Sequence, residues 1–202
     1  MSQFRQDKRS FNVIIIDNYD SFTYNIVNDV EDITQSQVSV FKNDELSPEA
    51  ILAKAPTHLI LSPGPGHPKN KKDFGLCTDV LHRASCPILG ICLGHQGIAE
   101  AFSEQACVLQ AQEPIHGQAR PVFHDGHFLF QGMPSPFLAA RYHSLIVTDT
   151  FAPLLKKIAW SESGEVMALA HRDRPIYGIQ FHPESILTPQ GKRCVRNFLQ
   201  QG

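Results

Sequence analysis

The stretch Pro87-Ile88-Leu89-Gly90-Ile91-Cys92-Leu93-Gly94-His95-Gln96 joins a short apolar run to Gly-x-Cys-x-Gly and then to a segment of helical character. A strand, a sharp turn and a helix in that order form a nucleophile elbow, here with cysteine at its tip. A turn that sharp crowds the backbone and leaves no room for a Cβ on either side, which accounts for Gly90 and Gly94. The turn sets Cys92 at a helix N-terminus, where free N–H groups and the helix dipole favour a thiolate. The amide of Leu93 can then act as an oxyanion donor. Gln96, one turn further on, shares the face of Cys92 and can bind a small polar substrate.

Working outward, the flanking sequence alternates short apolar runs with helical stretches. Phe11–Ile16, Val38–Phe41, His58–Leu61 and Pro87–Gly90 read as strands. Helices are expected over Phe22–Asp32, from Ser47-Pro48-Glu49 onward, over Phe74–Arg83 and over Gly94–Phe102. Strands whose apolar runs do not alternate are covered on both faces, as in a parallel sheet. The fold class expected is α/β: a three-layer, largely parallel open sheet flanked by helices, with an antiparallel extension. Asp125-Gly126 between Val122–His124 and His127–Phe130 reads as a hairpin turn in that extension. Further strands are expected near Ala139–Tyr142, Ile158–Ser161, Val166–His171 and Ile176–Phe181, with a closing helix over Pro189–Gln200. Ligands in such sheets collect at the carboxyl ends of strands.

Two other strand ends carry chemistry. Ile176–Phe181 runs into His182-Pro183-Glu184, an imidazole with a carboxylate two residues on. A cysteine nucleophile needs an imidazole to take and return a proton, and a carboxylate to fix its tautomer. Ser62-Pro63-Gly64-Pro65-Gly66, after the third strand, is a stiff loop with exposed N–H groups, and Gly66 is its best oxyanion donor. His124 and His127 form H-x-x-H, but no third ligand completes a metal site. His95 lies about 100° around the helix from Cys92 and is the poorer base. His116 and His143 read as structural.

The bulk numbers exclude several classes. The chain has 202 residues, 42% apolar and 19% charged, with a formal net charge of −2. One large domain is expected over residues 11–202, with a disordered extension at 1–10. No basic run points to nucleic acid or an anionic membrane. No apolar run approaches the ~20 residues needed to span a bilayer. Five cysteines without a C-x-x-C pair argue against disulfides and zinc. The protein is expected to be cytoplasmic, without metal or cofactor.

Five blocks together carry a resemblance. They are Ile16-Asp17-Asn18-Tyr19-Asp20-Ser21-Phe22-Thr23, Leu61–Gly66, Gly90–Gln96, Arg141-Tyr142-His143-Ser144-Leu145 and Gln180-Phe181-His182-Pro183-Glu184-Ser185-Ile186. In this order, across about Ile14 to Leu199, the chain resembles the class I (triad-type) glutamine amidotransferases. Within them it is most similar to the small subunits of anthranilate synthase and of 4-amino-4-deoxychorismate synthase. The resemblance implies a glutaminase with a catalytic triad of Cys92, His182 and Glu184. Glutamine would be held by Gly64, Pro65, Gly66, Leu93, Gln96, Ser144 and Leu145, with Gly66 and Leu93 on the oxyanion. It also implies a partner, the chorismate-binding synthase subunit, that receives ammonia and makes anthranilate, aminodeoxychorismate or both. Two departures stand out. His67–Gly75, with three lysines, replaces the small and acidic residues usual after Gly66 and reads as a solvated cluster. The first ten residues are additional. An amidotransferase for another acceptor, a cysteine peptidase and a catalytically silent regulatory subunit remain as alternatives.

Overall fold

The structure, a computed structural model, describes residues 10–105, 107–150 and 153–201. In chain order the elements are β1 (Val13–Asp17), α1 (Thr23–Thr34), β2 (Ser39–Lys42), α2 (Pro48–Leu52), β3 (His58–Leu61), α3 (Lys71–Phe74), α4 (Cys77–Arg83), β4 (Ile88–Ile91) and α5 (Leu93–Ala101). They continue as β5 (Val108–His124), β6 (Phe137–Val147), β7 (Leu155–Ser161), β8 (Val166–His171), β9 (Ile176–Ile179) and α6 (Gly191–Leu199). All these strands join one sheet, in the order β2-β1-β3-β4-β9-β8-β7-β5-β6. The first five are parallel and the rest antiparallel, the division the sequence suggests. Except for Ser10, the extension expected to be disordered lies outside the described residues.

The unbroken apolar runs have a simple cause. Side chains alternate between faces, and here both faces are covered. On β1, Val13 and Ile15 pack with Ile26 and Val30 of α1 and Val195 and Phe198 of α6. Ile14 and Ile16 face the other way, onto Ile51 of α2, Val80 and Leu81 of α4 and Ile98 of α5. The same alternation splits Ile60 from Leu59 and Leu61 on β3, and Leu89 from Ile88 on β4. Ser47 caps α2, its side chain accepting from the Ala50 N–H, and Pro48 follows in the first turn.

Two expectations need correcting. Asp125-Gly126 does not join two paired strands. Val122–His124 is the end of the long β5, which pairs with β6 and with β7. Phe128–Phe130 is a 3₁₀ turn that buries Leu129 and Phe130. Gly126 has the left-handed φ of +87° that its turn needs, so the turn forms while the long-range pairing goes elsewhere. The helix expected over Phe74–Arg83 is broken at Gly75, whose φ is +48°. The lysine cluster is solvated: Lys69, Lys71 and Lys72 are all exposed, and Lys69 also reaches Glu100 on α5 at 3.2 Å.

The sheet curls, and this brings the site together. Ala140 on β6 forms an isolated antiparallel bridge to His182, just beyond β9. The far edge of the sheet thereby returns to its centre.

Candidate active site

Cys92 stands between β4 and α5 with φ +51° and ψ −101°, a conformation that L-residues seldom adopt. Two backbone bonds hold it there: its N–H donates to Ile179 O (2.9 Å), and its carbonyl accepts from Gln96 N–H (3.0 Å). The flanking glycines are required by contact rather than by φ. A Cβ on Gly90 would lie 2.4 Å from Gly94 O, and one on Gly94 would lie 2.4 Å from Leu61 O. Strand and helix are thus in backbone contact, and the cysteine is left at the apex. It is 7% exposed.

The other thiols behave differently. Burial pushes Cys77 far above the ordinary range, Cys194 up to about 12, and Cys86 and Cys107 upward as well. Cys77, Cys107 and Cys194 are core groups, and Cys86 is half-buried beside the core.

His182 and Glu184 follow β9. Glu184 Oε1 lies 2.7 Å from His182 Nδ1, and both side chains are buried. His182 Nδ1 is taken by Glu184, and its Nε2, which makes no geometric hydrogen bond among the described residues, is the end left for Cys92. Burial alone would lower this histidine, but Cys92 and Glu184 outweigh it and hold the imidazole well above its usual value. Its main chain is stapled to β6. His182 N–H donates to Ala140 O (3.0 Å), while the Thr188 hydroxyl donates to His182 O (2.7 Å) and accepts from Ala140 N–H (2.8 Å). Phe22 and Tyr142 wall the ring, with centroids 6.2 and 5.2 Å away in edge-on geometry. A cavity of about 300 Å³, lined by Phe22, Asn25, Tyr142, His182, Glu184 and Ile186, opens beside it.

The glycine loop is held from below. Asn18, just after β1, donates its backbone N–H to Ser62 Oγ (2.8 Å) and its side-chain N–H to Ser62 O (2.9 Å). Asn43 ties Asn18 Oδ1 to Asp73 O. Asp73 in turn accepts from His67 N–H (2.9 Å) and packs so close to Gly66 that a Cβ there would meet its carboxylate at 2.1 Å. Gly64 sits against Asn18 and Leu93, while Pro65 and Gly66 form the exposed tip. The divergent loop therefore supplies Asp73 as its own anchor.

Gln96 does not reach into open space. Its Nε2 donates to Leu145 O (3.2 Å) and to Gln180 Oε1 (3.1 Å), and Ser144 lies half-buried alongside on β6. Cys92, Leu93, Gln96, Leu145, His182 and Glu184 thus converge. His95 is excluded as a base: it is fully buried against Gly178, and burial pulls it down to about 3. Burial and the Arg141 guanidinium pull His143 down to about 4. His124 and His127 are occupied by local backbone groups. Sequence reasoning missed Thr188, whose hydroxyl staples His182, and Gln180, whose side-chain N–H lies 3.6 Å from Cys92 Sγ. A signal for Gln180 existed: one amide at the end of an apolar strand must find partners once buried.

The sequence profile of the glutamine amidotransferase class-I family matches residues 14–201. The chain is 45% identical over 191 residues to the "Bifunctional protein TrpGD" of Thermotoga maritima, covering 93% of this chain. It spans only about a third of that protein's length (32%). It is 40% identical to the "Aminodeoxychorismate/anthranilate synthase component 2" of Bacillus subtilis, covering 93% of this chain and 95% of that one. Among solved structures, a "putative gmp synthase subunit a protein" from Thermoplasma acidophilum superposes with a TM-score of 0.84 at 26% identity, covering 95% of this chain and 93% of that one.

Proposed function

The chain belongs to the class-I glutamine amidotransferases, and from that membership we propose that it hydrolyses L-glutamine and passes the ammonia to a chorismate-binding synthase. The observation that carries this reading is the strained Cys92 at its elbow, faced by a His182–Glu184 pair whose Nε2 is left for it.

In the proposed reaction the Cys92 thiolate attacks the side-chain carbonyl carbon of glutamine. Negative charge gathers on the carbonyl oxygen, where the Leu93 and Gly66 N–H groups receive it. The imidazolium of His182 gives its Nε2 proton to the departing nitrogen, and ammonia leaves a γ-glutamyl thioester. His182, now neutral, takes a proton from water as that water attacks the thioester. Glutamate and the thiolate are released. Glu184 keeps the imidazole oriented throughout and offsets its charge. Gln96, Ser144, Leu145, Gly64 and Pro65 shape the pocket for the amino-acid end of the substrate.

Two features support a partner subunit that uses chorismate. Ile186, 93% exposed, and the exposed ring of Phe22 line the cavity, where unpaired apolar groups mark a docking face. Relatives named for aminodeoxychorismate and anthranilate synthesis match at 40–46% identity, against 26% for the GMP synthase component, which favours chorismate over a nucleotide acceptor. The continuous sheet supports reading residues 11–202 as one amidotransferase domain. Among the described residues no helix is long and apolar enough to cross a membrane. The test is glutamate release from glutamine with and without each candidate synthase, for wild type and Cys92→Ser. Stimulation by a partner, abolished in the variant, is expected. No glutamate under any condition would overturn the reading in favour of a silent subunit.

A further inference from the structure

Gln180 ends the apolar run of β9 and is fully buried. A buried amide costs folding free energy unless it is hydrogen-bonded. Its backbone N–H donates to Met167 O on β8 (2.8 Å), which fixes the main chain. Its side chain has two partners. Oε1 accepts from Gln96 Nε2 (3.1 Å), and Nε2 donates to Cys92 Sγ (3.6 Å).

The direction of this amide is not free. Gln96 Nε2 also donates to Leu145 O, and a carbonyl can only accept. Gln96 therefore turns its NH₂ to this corner, and Gln180 must meet it with oxygen. The Gln180 NH₂ is then left for the sulfur. The Leu145 carbonyl is itself pinned by a second donor, His143 Nδ1 (3.0 Å). His143 Nε2 accepts from Arg141 Nε (2.9 Å), a group that can only donate, and Arg141 is paired with Glu165. A buried row of hydrogen bonds thus runs from a guanidinium to the nucleophile, with one arrangement of protons available to it.

We propose that Gln180 is a positioning residue for the nucleophile: its side-chain N–H holds the Cys92 sulfur and stabilises it as a thiolate. A donor on sulfur favours the charged form, and charge-assisted bonds are roughly twice as strong as neutral ones. The same donor assists the sulfur when it leaves the thioester. The catalytic meaning of this contact rests on the glutaminase reading; the contact itself does not. The sulfur also faces the Tyr142 carbonyl (3.9 Å) from β6 and the His182 imidazole from beyond β9. Glu184 stands behind His182, and His95 of α5 is neutral at working pH.

The test uses two variants of the full chain. Gln180→Met keeps the length of the side chain and removes the donor. Gln180→Glu keeps the shape and the acceptor toward Gln96 but turns a carboxylate to the sulfur, and it serves if the Met variant does not fold. The measurement is the pH profile of iodoacetamide alkylation at Cys92, followed by mass spectrometry of its peptide. The expected result is ~10-fold slower alkylation at neutral pH for Met, slower still for Glu. Both profiles move to higher pH and meet the wild-type rate under alkaline conditions. In glutamate release, kcat falls in the same order. Unchanged alkylation, or slowing by one factor at every pH, would overturn the proposal, because mere packing predicts no shift. A shifted profile in a protein whose wild type releases no glutamate would defeat the glutaminase reading and leave this one standing.

Discussion

Gly94→Ala sets two magnitudes against each other. Gly94 lies in the first turn of α5 with an ordinary helical φ. Helix propensity alone would make alanine more stable there, by roughly 0.5–1 kcal/mol. The new Cβ, however, would stand 2.4 Å from Leu61 O and 3.0 Å from Leu61 Cβ. That is about 1 Å inside ordinary van der Waals contact. The obstacle is backbone in the middle of a parallel sheet, so it cannot rotate away. Overpacking of this kind costs about 1–3 kcal/mol, and the contact wins. A net loss of about 1–2 kcal/mol lowers Tm by roughly 5 °C in a domain of this size. The strain is relieved by moving α5 away from β3, and Cys92 moves with it. A displacement of about 1 Å in a nucleophile costs on the order of 100-fold in rate. The assay pairs thermal melting with glutamate release in the presence of the synthase partner. Gly126→Ala is the control: its φ is +87° and nothing lies within 4 Å of the new Cβ. It is expected to lose about 1 kcal/mol from the left-handed backbone and no activity. A Gly94→Ala protein with wild-type or higher Tm and full activity would refute the claim that backbone contact requires the glycine.

Three other outcomes are expected. Glu184→Gln removes the charge facing a buried imidazole and lowers kcat about 100-fold, on the scale of a lost charged hydrogen bond; a loss under about threefold in glutamate release would count against the triad. Thr188→Val strands Ala140 N–H and frees the His182 carbonyl, costing about 2 kcal/mol in urea melts and lowering kcat more than it changes KM. Stability should peak near neutrality. His95 and His143 are held at about 3 and about 4, below the 6.5 of an unfolded histidine, so their contribution is present above pH 6.5 and is lost as the pH falls toward those values. His182 is raised, so its contribution is full below 6.5 and is lost as the pH climbs toward about 10. Urea melts from about pH 4 to about pH 10 would show this; a flat curve between about pH 6.5 and about pH 5 would mean that both lowered histidines reach solvent.

What the sequence disclosed and what it hid follow one physical division. The parallel half was legible because each strand is buried on both faces, and each loop is marked by residues that only turns demand. The elbow was legible for the same reason, since Gly90 and Gly94 are fixed by contacts close in sequence or between consecutive strands. The antiparallel half depends on pairing at long range. Polar residues interrupt β5, with Gln110, Gln112, Glu113 and Gln118 along it, and two register shifts break its alternation. No local window reveals such a strand. Gln180 and Thr188 escaped for a related reason: their roles exist only after the sheet curls and brings β6 to the end of β9.

The position of β9 bears on how the protein is made. This strand lies between β4 and β8, yet it is assembled from residues 176–179, long after β4 in the sequence. While the ribosome is still producing the middle of the protein, β4 is an open parallel edge of bare N–H and C=O groups, and Cys92 sits beside it without an imidazole. Unpaired edges of that kind invite pairing with other chains. Arrival of the last strand seals the edge and delivers His182 in the same event. Pairing of the β4 edge and placement of His182 opposite Cys92 are thus coupled in a single topological step.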